Sequence, residues 1–184
     1  MSSARYVHLR LHSEFSISDG ITRLDDAIGR AKEDGMPAMA LTDLANMFGM
    51  VKFYSGMRGK GLKPVIGCDA WVGDPDGQDR ASRLLLLAKN RDGYLRLCDL
   101  LSAAYVGERS DSRAEIPYAA LATGDNSNLI ALSGAAFGDI GQMLLSGKGA
   151  DAVTRARHWA ALFPTSFYIE VQRPQGKNLS LIHI

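Results

Sequence analysis

Val7-His-Leu-Arg-Leu-His-Ser-Glu-Phe-Ser-Ile-Ser-Asp-Gly20 is the stretch on which the fold reading turns. From Tyr6 to His12 large apolar and polar residues alternate, the period-two pattern of a strand with one buried face. The strand then runs into a loop of small and polar residues that closes on Asp19-Gly20, a turn dipeptide. A strand that ends in this way offers His8, Arg10, His12 and Asp19 to whatever lies beyond its C-terminal end.

Outward from it the same alternation recurs. Leu24, Ala27, Ile28 and Ala31 keep helical spacing, with Thr22 as the expected N-cap, Asp25 and Asp26 in the first turn, and Gly35 and Pro37 as stop signals. Ala38-Met-Ala-Leu41 is a short apolar run ending in Thr42-Asp43, and Met47, Met50, Val51 and Tyr54 begin a second helical period. Pro64 to Val72 and Arg83 to Ala88, linked through Asp74-Pro-Asp-Gly77, read as a hairpin. Tyr94, Leu97, Cys98, Leu101 and Tyr105 mark another helix. The polar stretch 107–128 reads as a long surface connection with at most one short turn. Leu129 to Ser133 and Phe167 to Val171 read as strands, and Gly138 to Leu145 and Asp151 to Phe163 as helices. Strands alternating with helices predict an α/β architecture, a mostly parallel sheet covered by helices, open or barrel-shaped, with function at the C-terminal ends of its strands.

Composition narrows the rest. Of 184 residues 46% are apolar, enough for one domain with a sizeable core. Lys and Arg number 21 against 20 Asp and Glu, so a net charge of +1 gives no global field for nucleic acid or membrane, and 8% aromatics argue against a free-standing nucleic-acid-binding module. No apolar run approaches a membrane span, there is no secretory leader pattern, and the expected location is cytoplasmic. Cys68 and Cys98 lack zinc-knuckle spacing and read as free thiols.

The candidate chemistry is His8, Arg10, His12, Asp19, Asp43 and Asp69, residue types that hold metals or phosphate at strand ends. Spacing alone leaves an alternative standing: Asp19 as a turn residue, Asp43 as a helix cap, His8 as an ordinary half-buried histidine.

Taken together, Val7 to Gly20, Gly35 to Tyr54, Gly61 to Asp69, Leu84 to Tyr94 and Leu132-Ser-Gly134 resemble, in order, the motifs of the PHP (polymerase-and-histidinol-phosphatase-like) domain that opens the bacterial DNA polymerase III alpha subunit. The resemblance spans residues 5 to about 178. It implies a distorted seven-stranded β/α barrel of which about the first two thirds are present, as a partial domain over 1–178. Residues 179–184 follow no strand or helix logic and are expected to be a non-native or truncated tail.

The resemblance also implies a cleft that, in metal-binding members, holds metal ions for phosphoester hydrolysis. Carried over by position, ligand sites fall on Arg10, His12, Asp19, Asp69 and Arg83, with Leu44 where a histidine follows Asp43 and Ala135 where a Cys or His follows Ser133-Gly134. His12, Asp19 and Asp69 keep a competent ligand type; Arg10, Leu44, Arg83 and Ala135 do not. The implied site is a degenerate one, with at best a vestigial zinc or manganese ion on His12, Asp19 and Asp69. Arg10 and Arg83 either pair with Asp19, Asp43 and Asp69 or reach solvent. The implied role is structural, without catalysis in this chain; DNA-directed polymerisation and its magnesium belong to polymerase parts absent from it. The implied partners are the remainder of the alpha subunit and the proofreading exonuclease subunit, with DNA met only through the whole polymerase. An active metal-dependent phosphoesterase or 3'-5' exonuclease is the alternative.

Overall fold

A computed structural model describes residues 6–75, 81–107 and 113–172. Leu24, Ile28 and Ala31 recur at spacings of four and three and are buried together, which makes Leu24–Glu33 an amphipathic helix, α1. Asp25 and Asp26 stand in its first turn and Arg30 and Lys32 in its last, each sign complementing the helix dipole. Thr22 does not cap it. Arg23 is the N-cap, without a side-chain bond, because Thr22 is held in a bridge with Ser13 whose neighbour Glu14 donates its N–H to the Thr22 carbonyl at 2.9 Å.

Strand β1 (Ala38–Leu41), helix α2 (Met50–Gly59) and strand β2 (Lys63–Val72) follow as a parallel crossover unit, with Ala38 opposite Lys63 and Leu41 opposite Ile66. The expected hairpin is present: β3 (Ser82–Ala88) runs back antiparallel to β2, Asp69 facing Leu85 and Trp71 facing Arg83. After α3 (Arg91–Val106), capped by the Asn90 side chain accepting from Gly93 N–H at 3.0 Å, come β4 (Glu115–Ile116), α4 (Tyr118–Ala122), β5 (Leu129–Leu132), α5 (Asp139–Leu145), α6 (Gly149–Leu162) and β6 (Phe167–Tyr168).

The sheet order is β1-β2-β3-β5-β6, with β4 parallel to the end of β2. It is mixed rather than mostly parallel, because β3 is antiparallel to both β2 and β5. The reason lies in the β2–β3 link, too short for a crossover helix, so the chain must reverse. Outside β1, the opening segment runs alongside rather than as a full strand: His8 bridges Met39, and the N–H groups of Ala40 and Thr42 donate to the carbonyls of His8 and Leu11 at 2.8 and 3.0 Å.

Leu84-Leu-Leu-Leu87 is buried on both faces, which its unbroken apolar run requires. Leu84 and Leu86 join the main core beneath α3 and α6, with Trp159, Phe163 and Ile116; Leu85 and Leu87 point the other way, with Ala40, Val65, Ile130 and Leu132 inside the curved sheet. A second core under α1 and α2 holds Leu24, Ile28, Leu41, Phe53 and Met57.

The connection after α3 is less loose than its polarity suggested. Its described part holds both β4 and α4, anchored by the buried Ile116 and Leu121, while residues 108–112 lie outside the described set. The last strand is shorter than the Phe167–Val171 reading: Ile169 and Val171 have no sheet partner among the described residues and stand exposed. The expected tail at 179–184 also lies outside the described residues. The described residues thus form an α/β fold with six strands in one mixed sheet, consistent with an incomplete barrel. No helix among the described residues is long and apolar enough to cross a membrane.

Candidate functional site

Asp69 sits in β2, where the β1–β2–β3 pairing turns its side chain toward the mouth of the sheet, and it is fully buried. One carboxylate oxygen, Oδ2, meets three nitrogen-bearing side chains: Arg10 Nη1, His12 Nε2 at 2.9 Å and Arg83 Nη1 at 3.5 Å. The other, Oδ1, has no hydrogen-bond partner among the described residues. A buried carboxylate costs several kcal/mol unless compensated, and here two permanent guanidinium cations supply the compensation.

His12 lies between two acids. Its Nδ1 is 3.0 Å from Asp19 Oδ2 and its Nε2 faces Asp69. Neutral imidazole has a single N–H, so only the doubly protonated ring can donate to both carboxylates. Burial pulls the imidazole pKa down, but the hydrogen bond and charge of Asp69, with Asp19 behind them, outweigh it and the nearby Arg10, leaving it above the ordinary histidine value.

Arg83 enters from the start of β3. It donates to Asp19 Oδ2 at 3.0 Å, and its guanidinium carbon lies 5.0 Å from the Trp71 ring and 4.9 Å from the Phe137 ring, within cation–π reach of both. Gly134 makes room for it: the residue has φ +75°, and a Cβ there would collide with the Arg83 carbonyl oxygen.

The first and last parts of the chain meet on Arg10. Its Nε and Nη2 donate to Glu170 Oε1 and Oε2 at 2.8 and 2.7 Å, a bidentate pair. Glu170 was absent from the sequence candidates, since it lies beyond the last quoted motif and carries no local signature; its one cue was a lone acid in an apolar strand pattern.

Asp43, expected to line the cleft, is buried beside the cluster and is bonded through its side chain to the loop before it. Its carboxylate accepts from Ser13 N–H at 2.6 Å, from Ser13 Oγ at 2.9 and 3.0 Å and from Ser16 Oγ at 2.7 Å, so it staples the loop that carries Asp19. It touches the cluster through its backbone, the Asp69 N–H donating to the Asp43 carbonyl at 3.1 Å. Leu44, next in the chain, bridges Asp69 through backbone, and Ala135 begins a 3-10 turn at φ 48°; neither brings a donor atom. His8 is exposed and makes an edge contact with the Tyr6 ring. The cluster is therefore Arg10, His12, Asp19, Asp69, Arg83 and Glu170.

A family model for the PHP domain matches residues 8–174. The chain belongs to the PHP domain family. This PHP domain is 48% identical over 174 residues to the DNA polymerase III subunit alpha of Neisseria meningitidis serogroup B, 42% over 178 residues to that of Pseudomonas aeruginosa and 37% over 179 residues to that of Escherichia coli K12. In each case 94% of the chain is covered but 15% of the relative, so the PHP domain here spans about a seventh of the length of those proteins. Among solved structures it resembles an amidohydrolase from Chromobacterium violaceum with bound SO4 and no metal (TM-score 0.43, 20% identity, 53% of this chain and 32% of that one). It also resembles a putative metal-dependent phosphoesterase from Bifidobacterium adolescentis (TM-score 0.37, 17% identity, 54% and 33%).

Proposed function

We propose that this PHP domain is the N-terminal region of a replicative DNA polymerase alpha subunit and serves it as a structural and docking domain, its ancestral metal site replaced by ion pairs. The observation that carries the reading is the crowding of Arg10, His12 and Arg83 onto one oxygen of Asp69. A metal ion seated there would face two guanidinium groups that cannot lose their charge, and Leu44 and Ala135 offer it no lone pair. The residues present do not fit a bound zinc or manganese ion, and a two-metal hydrolytic step has no place to begin. Among the described residues no group of three or more His, Cys, Asp and Glu side chains is arranged to hold a metal.

Identity to alpha subunits along nearly the whole chain supports a cytoplasmic polymerase setting, with the remainder of the alpha subunit and the proofreading exonuclease subunit as partners and DNA met only by the whole enzyme. Nucleotide transfer, with its magnesium, would then belong to parts of the polymerase outside this chain. The test is hydrolysis of a nucleotide phosphodiester with zinc or manganese supplied. No metal-dependent turnover is expected, and turnover that vanishes in His12→Ala would overturn the reading in favour of an active phosphoesterase or 3'-5' exonuclease.

A further inference from the structure

Segment 169–172 lies past the last paired residue of β6 and has little apolar anchorage, since Tyr168, Ile169 and Val171 are all about half exposed. What fixes it is polar. The Ser133 N–H donates to the Tyr168 carbonyl at 3.0 Å, the Glu170 N–H donates to Ser133 Oγ at 3.0 Å, and Gln172 Nε2 donates to Glu170 Oε1 at 2.7 Å. The two bonds from Arg10 complete the set, and they come from the opposite end of the sheet. Arg10 is tied by its third nitrogen to the buried Asp69, so one side chain joins the interior of the cluster to the edge strand.

We propose that Glu170 and Arg10 form an ionic clasp that holds Tyr168, the last residue of β6, together with segment 169–172 as a strap tied to the opening segment, and that the strap releases as a unit of its own while the three cores stay folded. Three features require this. The strap buries little apolar surface, so its release forfeits little hydrophobic energy. The bidentate pair is its strongest bond. The cores under α1, α2, α3 and α6 do not include residues 169–172. Segments with few buried apolar contacts are the ones that open below the global unfolding energy. Release would uncover the outer edge of β5 at Ser133 and free the Nε–Nη2 fork of Arg10 for another carboxylate.

Residue-resolved amide hydrogen exchange on the 184-residue chain tests this, with substitutions placed at Glu170 because Arg10 also serves Asp69. Glu170→Gln should accelerate exchange at the Ser133 and Glu170 amides by about tenfold or more, the change that ~1.4 kcal/mol produces. The amides of the buried Leu85 and Leu86 should keep their rates, and Val171→Ala should leave all four unchanged. Equal acceleration everywhere, loss of the fold, no acceleration at Ser133 and Glu170, or release by Val171→Ala to the same degree would each overturn the clasp.

Discussion

Arg10 and Glu170, 160 positions apart in the chain, meet in a two-bond ion pair of 2.8 and 2.7 Å, and the same guanidinium reaches the buried Asp69. Three carboxylates, those of Asp19, Asp69 and Glu170, thus surround two guanidinium groups and one imidazole. Removing a member that pairs with the fully buried Asp69 leaves that carboxylate undercompensated.

Arg10→Ala should therefore destabilise the domain by roughly 3 kcal/mol, the usual cost of breaking a buried pair from one side. Urea titration would show it as a lower midpoint at unchanged slope. Arg10→His should also lower stability and restore no hydrolysis, because Leu44, Arg83 and Ala135 remain. A variant as stable as the parent would mean that the pairs contribute nothing.

Arg10, His12, Asp19 and Asp69 were singled out because alternation and turn residues are local signals, although the opening segment makes only a bridge at His8 and Asp69 lies within β2 rather than at its end. Arg83 was reached only through the resemblance and the hairpin reading. Glu170 was not legible, since a pairing across 160 residues leaves no periodic trace in the chain. The partners of Asp43 were not legible for a related reason: a buried aspartate looks alike in sequence whether it faces cations or, as here, two serine hydroxyls and an amide. The mixed sheet followed from a link length that composition suggested, whereas α4 was hidden in a polar stretch where two buried residues, Ile116 and Leu121, decide the structure.

His12 makes stability depend on pH. Its folded-state pKa lies above the ordinary 6.5, so the folded state holds the proton more tightly than the unfolded chain. The contribution is fully present below about 6.5 and is lost as pH rises through the raised folded value. Unfolding free energy measured across that window should fall with rising pH, and His12→Gln should flatten the fall. An unchanged slope in the variant would show that the ring is not held between Asp19 and Asp69.

Ser16→Ala probes the staple. Ser16 Oγ donates to Asp43 and accepts from the Leu44 N–H at 3.0 Å, so its loss strands that amide and takes one of three donors from Asp43 Oδ1. A cost of about 1–3 kcal/mol is expected. The pH dependence assigned to His12 should survive, because the Asp43 carboxylate stands apart from the ion-pair cluster; its disappearance would put both in one network.

Gly134→Ala should destabilise by more than about 1 kcal/mol, as an L-residue at positive φ pressed against the Arg83 backbone. Thermal unfolding would register it, and a neutral result would mean that the Arg83 strand moves aside at no cost.

The proposal that ion pairs stand in place of a metal is tested most directly by thermal unfolding of the 184-residue chain titrated with zinc or manganese and then with chelator. An ion bound to the folded state at a hundred times its dissociation constant would add about 2.7 kcal/mol. Cations that already neutralise Asp69 predict no stabilisation by either metal and no loss with chelator, for the parent and for His12→Ala alike. A saturable rise in melting temperature that chelator reverses and His12→Ala abolishes would contradict the account.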